Sequence, residues 1–378
     1  MTTLPDGAAA GTAADHAAFL AGRRPAERTH VRVDAADPHA RGRARGARLR
    51  DAIPAAFAVY ERFFTLGGLT PDRIRTDANR ALDAVGAFRP AARAEIEGIA
   101  AGAGLDVWQI AALNARTEIL AGSTTIAPGE CTTIVRTGGD GPFGVQTWDW
   151  HVELAAHWHT LESHGGPRSF VGLTEDGILG KIGINDAGLA LHFNILGHER
   201  DGIGGIPMHV LAAIVLAEAG SVAEAVDIVR TAPVASSGSF ALFDTTDAAL
   251  LDLSPVGVFP VPAADGYLLR TNHFLTPDPA AGEKTWLYQP DSTDRRDFVA
   301  ARLATTEPPS AAADLPALLR TGPGEPPVTC LPDPTQPTGL RWASLATVTL
   351  SPATRTAAIL DGTPAEADSR PWRVLRAG

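Results

Sequence analysis

The hydrophobic periodicity of this chain changes at Cys131, and that change limits what it can fold into more than any other feature. Upstream, residues 36–63, "ADPHARGRARGARLRDAIPAAFAVYERF", read as helix. Residues 77–103 read as two helices, with Pro90 able to start the second after a short turn. Residues 106–120 give another, with Val107, Ile110, Ala111 and Asn114 on one stripe. Downstream the pattern shortens to strands: "CTTIVRT", "FGVQTWDW", "HTLESH", "RSFVGLTE", "ILGKIGIN" and "LALHFNIL". The links between them, among them "GGDGP", "GGP", "EDG" and "DAG", carry hairpin and turn chemistry.

A helical pair is predicted over 206–232, with Pro207 at its start and Ser221–Glu224 as a capping box for its second member. Strands resume over 238–261 and 266–275, a helix follows over 292–304, and two strands are predicted at 344–352 and 355–362. The Pro-rich segment 305–340 reads as surface wrapping with one short helix. Helices first, then two batches of strands around a central helical pair, predict sheets covered by helices.

A chain of 378 residues can bury a full core as one large domain or two smaller ones. Two cysteines, Cys131 and Cys330, do not make a disulfide framework, and Cys330 in "VTCLPDP" reads as structural. The net charge of −11 argues against a nucleic-acid partner, which needs a concentrated basic footprint. Lysine supplies only Lys181 and Lys284 of the 32 basic residues, so candidates for an amine nucleophile are few. The N-terminal stretch lacks the pattern of a signal peptide. No run approaches the roughly 18 uninterrupted apolar residues of a spanning helix. The expectation is a soluble cytoplasmic protein with no membrane partner.

Common cofactor and catalytic signatures are missing: G-x-G-x-x-G, the P-loop, H-E-x-x-H and G-x-S-x-G. "HWH" at 157–159 puts two imidazoles on one face of a strand without a third ligand at a recognisable interval, so it reads as a packed or solvated strand and no metal is assigned. Cys131 alone reads as a small buried hydrophobe, and no histidine stands out as its base. A base arises if the peptide bond before Cys131 is cut. The thiol then gains its own α-amine, with a free pKa of about 7.7–8.0.

"NARTEI" (114–119), "GECTT" (129–133), "GVQTWDW" (144–150), "GILGKIGINDAGLALHFN" (177–194), "GIPMHV" (205–210) and "TNHF" (271–274), taken in order, resemble the acyl-coenzyme A:6-aminopenicillanic acid acyltransferase family of N-terminal-nucleophile hydrolases. The similarity runs from near residue 40 to "DGTP" at 361–364. The resemblance implies an α+β fold, a four-layer αββα sandwich, whose precursor cleaves itself before the cysteine. Residues 1–130 would be released as a smaller, mostly helical chain and 131–378 would form the larger catalytic chain, the two associated in one domain.

On the family's pattern Cys131 is the nucleophile, Asp149 its conserved acid, Asn272 the oxyanion-hole amide and Arg341, in "LRWASLATV", the late arginine. The autocleavage pair is Glu130–Cys131, although the family commonly has glycine where this chain has Glu130. The implied activity is hydrolysis of a small N-acyl amide through a thioester on Cys131, with acyl transfer to a small amine as the alternative. No cofactor is implied, a coenzyme A thioester being a candidate substrate. The rival reading is a non-catalytic binding protein that has kept the fold.

Overall fold

The computed structural model describes residues 12–123, 126 and 129–378. The upstream third is helical, in α1 (Ala13–Ala21), α2 (Pro38–Arg48), α3 (Ala52–Leu66), α4 (Pro71–Phe88), α5 (Pro90–Ala103), α6 (Val107–Asn114) and α7 (Arg116–Leu120). Two starts follow directly from sequence: Asp37 before Pro38 and Thr70 before Pro71 each cap a helix whose first turn holds proline. The span predicted as one helix over 36–63 breaks at Leu49, whose φ of −112° and ψ of 24° end α2. The break lets α2 lie on α5 at backbone contact, where a Cβ on Gly46 would stand 2.2 Å from the Ile99 carbonyl oxygen. The predicted helix over 106–120 divides at Ala115.

Among the described residues the strands form two sheets. The eight-stranded sheet runs β1 (His30–Asp34), β4 (Trp158–His164), β5 (Phe170–Glu175), β6 (Ile182–Asn185), β7 (Ala190–Ile195), β8 (Gly238–Phe243), β9 (Ala248–Ser254), β10 (Gly257–Val261). The six-stranded sheet runs β11 (Tyr267–Arg270), β2 (Cys131–Arg136), β3 (Phe143–His151), β12 (Trp342–Ser351), β13 (Thr356–Leu360), β14 (Trp372–Arg376). Their pairings are antiparallel except β1 with β4. Val135, Trp148 and Trp150 of one sheet share a core with Leu161, Val171 and Phe193 of the other, so the sheets pack face to face.

Helices cover both outer faces. α8 (Met208–Glu218) packs on β6 and β7, and α9 (Val222–Thr231) on β8 and β10. On the far side, after the short α10 (Pro277–Ala280) and α11 (Thr285–Tyr288), α12 (Asp291–Thr305) and the 3-10 turn Ala312–Leu319 enclose a second core of Ile134, Phe143, Val145 and Val299. The result is the αββα sandwich. Ser221 caps α9 by accepting from Glu224 N–H, while the Glu224 carboxylate turns to Gly220 N–H at 2.7 Å, which leaves the predicted capping box half formed.

Two predicted strands are shorter than their apolar runs. Residues 178–181 of "ILGKIGIN" lie outside β6 because side chains take their backbone groups: Arg45 binds the carbonyls of Ile178 and Leu179, and Asn114 accepts from Leu179 N–H at 3.1 Å. "TNHF" leaves β11 in the same way, Asn272 N–H going to Ser292 Oγ at 2.7 Å. β1 and β14 were not predicted. Among the described residues no helix is long and apolar enough to cross a membrane.

Candidate active site

β2 and β3 form a hairpin through Gly139 and Gly141, both at positive φ, and the register pairs Cys131 with Trp148. Alternation then puts the Cys131, Trp148 and Trp150 side chains on the face between the sheets. Asp149, paired with Ser344 of β12, points to the opposite face, toward α12.

The peptide group joining Glu130 to Cys131 is held at both ends. Its carbonyl oxygen accepts from Asp149 N–H at 3.0 Å, and its N–H donates to Asn272 Oδ1 at 2.9 Å. The next carbonyl, of Cys131, accepts from Asn194 Nδ2 at 3.0 Å and from Arg295 Nη1 at 3.2 Å. Asn272 is fixed on every side: Oδ1 also accepts from Arg295 Nη2 at 3.1 Å, and Nδ2 donates to Ile195 O at 2.8 Å. This orientation turns the donor end of Asn272 away from the Glu130 carbonyl and toward β7.

Gly129 must be glycine. A Cβ there would meet both the Asp149 carbonyl oxygen and a Trp150 ring carbon at 2.3 Å. The chain before the cysteine therefore presses on β3 at Gly129, one residue ahead of Glu130.

Burial dominates the ionisation of this group of residues. It pushes the Cys131 thiol up to about 12, helped by Asp149 and opposed by Lys181 and Arg295. It raises the Asp149 carboxyl to about 8 against the pull of Ser344 and Arg295. It raises Glu130 to about 7, with Arg295 opposing and Asp291 adding to the rise. A neutral, buried thiol is a poor nucleophile until something beside it accepts its proton.

Behind the Trp148 ring, at 4.1 Å from its centroid, lies the Lys181 ammonium, which donates to Glu175 Oε1 at 2.7 Å. Arg116 binds the same carboxylate at 2.6 Å, and Tyr60, holding Trp150 Nε1 at 2.8 Å, donates to it as well. Burial works to raise the Glu175 pKa, but Arg116 and Lys181 hold it well below the usual carboxylate range. This network ties α3 and α7 to the sheets beside the cysteine.

Of the residues proposed from sequence, Glu130, Cys131, Asp149 and Asn272 meet here. Arg341 does not join them by any hydrogen bond or ion pair among the described residues; its Nε donates to Glu153 at 2.9 Å and its Nη2 to Thr338 at 3.1 Å. The buried cation hydrogen-bonded to the Cys131 carbonyl is Arg295, which nothing in the sequence reading selected. Asn194 was also missed as an individual, although it lies inside "GILGKIGINDAGLALHFN", and Lys181 was noted only as a candidate amine nucleophile. Cys330 is free and buried, its N–H on Ser344 Oγ at 3.0 Å. The "HWH" ligand candidate His159 is buried on Asp176, Nδ1 to Oδ1 at 2.7 Å.

Beside the site a small cleft is lined by Leu120, Ile126, Trp150, Ile195 and Leu287 together with Lys284 and Asp201. Trp150 and Ile195 are shared with the cysteine's surroundings.

A sequence model of the family described as acyl-coenzyme A:6-aminopenicillanic acid acyl-transferase matches residues 136–323. That span holds Asp149, Asn272 and Arg295 and leaves out Glu130, Cys131 and Arg341. The 40 kDa form of the acyl-coenzyme A:6-aminopenicillanic-acid-acyltransferase of Emericella nidulans is 33% identical over 205 residues, 53% of this chain and 56% of that protein. The match therefore spans about half the length of this curated relative. Two solved structures are also similar. Penicillin V acylase from Agrobacterium tumefaciens has 13% identity over 65% of this chain and 86% of its own, at a TM-score of 0.39. A mutant form of conjugated bile acid hydrolase from Clostridium perfringens has 12% identity over 66% of this chain and 97% of its own, at 0.40.

Proposed function

We propose that this chain, which is similar to the acyl-coenzyme A:6-aminopenicillanic acid acyl-transferase family over residues 136–323, is a self-processing cysteine amidohydrolase acting on a small N-acyl amide. The observation that carries the reading is the clamp on the 130–131 peptide, with Asp149 N–H on its oxygen and Asn272 Oδ1 on its nitrogen.

In self-processing Cys131 Sγ attacks the Glu130 carbonyl carbon. The C–S bond forms, the thiol proton passes to the Cys131 nitrogen, and the C–N bond breaks. The products are a thioester to Glu130 and a free α-amine. Water then hydrolyses the thioester, returning the thiol and leaving a carboxyl on Glu130. The Asp149 N–H, already on the carbonyl oxygen, stabilises the oxyanion formed on the way.

Cleavage supplies what the buried thiol lacks. The new α-amine, with a free pKa of about 7.7–8.0, sits on Asn272 Oδ1 and takes the thiol proton. Departure of residue 130 also frees Asp149 N–H to receive a substrate carbonyl. Asn272 Nδ2 could join it as the second donor only by leaving Ile195 O. The acyl-thioester then passes to water, or to an amine held in the apolar cleft; hydrolysis needs no second pocket, and acyl transfer is the alternative. The substrate partner is a small acyl amide or acyl thioester.

The test is turnover. Purified processed protein offered N-acyl amides with apolar acyl groups should release the amine and, when quenched in acid, show a mass increase of one acyl group on the fragment beginning at Cys131. Cys131→Ala should do neither. Binding of such amides without turnover or an adduct would instead favour the binding-protein reading.

A further inference from the structure

A glutamate before the scissile bond places a carboxylate where a negative oxyanion must form, and the structure surrounds it with a specific arrangement. Arg295 of α12 is fully buried. Its Nε holds Asp291 Oδ2 at 2.6 Å, Nη1 holds Thr132 Oγ1 at 3.0 Å and the Cys131 carbonyl, and Nη2 holds Asn272 Oδ1 and lies 3.8 Å from Glu130 Oε2. One guanidinium thus touches Asn272, which grips the Cys131 N–H, and the Cys131 carbonyl itself, and also faces the Glu130 side chain.

We propose that Arg295 is the positioning residue of self-processing, and that it offsets the Glu130 carboxylate so that the charge on Glu130 regulates how fast the chain cuts itself. The inference rests on the self-processing reading above. Glu130 does not act as the base for the thiol: alternation puts its side chain on the α12 face and the thiol on the inter-sheet face. Its charge acts through space, opposing oxyanion and thiolate. The groups facing Glu130 are Arg295 and Asp291 from α12, Tyr288 from α11, Asp149 from β3 and the Cys330 thiol. Only Arg295 among these is cationic. The Tyr288 hydroxyl is buried with no hydrogen-bond partner among the described residues and adds no compensating charge.

The experiment follows appearance of the fragment beginning at Cys131 from freshly translated full-length chain between pH 5.5 and 8.5. Wild type is compared with Glu130→Gln, Arg295→Met, Arg295→Lys and the Glu130→Gln/Arg295→Met pair. Relative to wild type, Glu130→Gln should process equally at low pH and faster above neutrality. Arg295→Met should slow processing at pH 8 by about tenfold, the effect of one pKa unit on the thiol, and should regain speed as pH falls. Adding Glu130→Gln should restore it at pH 8, which a merely structural arginine would not permit, and Arg295→Lys should stay near wild type. If Arg295→Met fails to fold, the Glu130→Gln comparison alone decides. A ratio of Glu130→Gln to wild type that is flat across the range, or loss of processing in Glu130→Gln, overturns the proposal while leaving self-processing intact. No cleavage in any chain overturns both.

Discussion

Replacing Gly129 by alanine tests whether the approach of the chain to β3 is what prepares the 130–131 bond. The new Cβ would start 2.3 Å from the Asp149 carbonyl oxygen and 2.3 Å from a Trp150 ring carbon. Ordinary carbon–oxygen contact begins at about 3.3 Å, so the segment must retreat by about 1 Å. The neighbour on one side is backbone in the middle of the six-stranded sheet, which cannot yield cheaply. That retreat pulls the Glu130 carbonyl off Asp149 N–H, now at 3.0 Å. A displacement of this size at a reacting centre costs about 10²-fold in rate, and overpacking costs about 1–3 kcal/mol of stability. The assay is a time course of fragment formation by intact mass, with denaturant unfolding alongside. Gly138→Ala is the control, because nothing lies within 4 Å of its Cβ position. Processing of Gly129→Ala at the wild-type rate would refute the claim that the clamp sets the geometry of cleavage.

Other perturbations have equally definite outcomes. Asn272→Ala strands the Cys131 N–H, the Ile195 carbonyl and one Arg295 N–H; at about 1–3 kcal/mol each it should lower unfolding free energy by at least about 3 kcal/mol and stop processing, and a loss under about 1 kcal/mol contradicts the network. Glu175→Gln leaves Arg116 and Lys181 buried without their shared carboxylate and should cost about 3–5 kcal/mol in urea unfolding; near-neutrality would mean the cluster carries little of the fold. Asp149 has a folded-state pKa raised to about 8 by burial, against about 3.9 unfolded, so the folded form keeps a proton the unfolded form has lost. Its contribution is full below about pH 4 and disappears as pH rises through about 8. Asp149→Asn should therefore flatten the fall of stability between pH 5 and 8, and an unchanged slope would show that Asp149 does not titrate there.

Much of the sandwich was legible in sequence because hairpin glycines and strict alternation are local signals. The β2–β3 hairpin and the run from β4 to β7 appear in order from "CTTIVRT" to "LALHFNIL". β1 and β14 escaped because each has only five residues; β1 buries only Val31 and Val33, and β14 only Leu375. The end of "ILGK" as a strand depends on Arg45 and Asn114, residues 64 or more positions away, which no local pattern reports. Glu130, Cys131, Asp149 and Asn272 were found together only through the ordered motifs. Arg295 stayed hidden for a physical reason: "STDRRDF" reads as a solvated helix face, and only the packing of α12 on β11 carries that side chain under the cysteine. The glycine in "GEC" signals a close approach, but its partner is Trp150 on another strand, so its meaning needed the fold.

The central claim is that Cys131 becomes an N-terminal nucleophile by cutting the bond before it. Intact mass of the purified, denatured chain, with sequencing of any new N-terminus, tests this directly beside Cys131→Ala. The account predicts two fragments, the larger beginning Cys131-Thr132-Thr133, and an uncut control. A single full-length mass from folded wild-type protein across pH 5.5–8.5, or the same cut in Cys131→Ala, would contradict it.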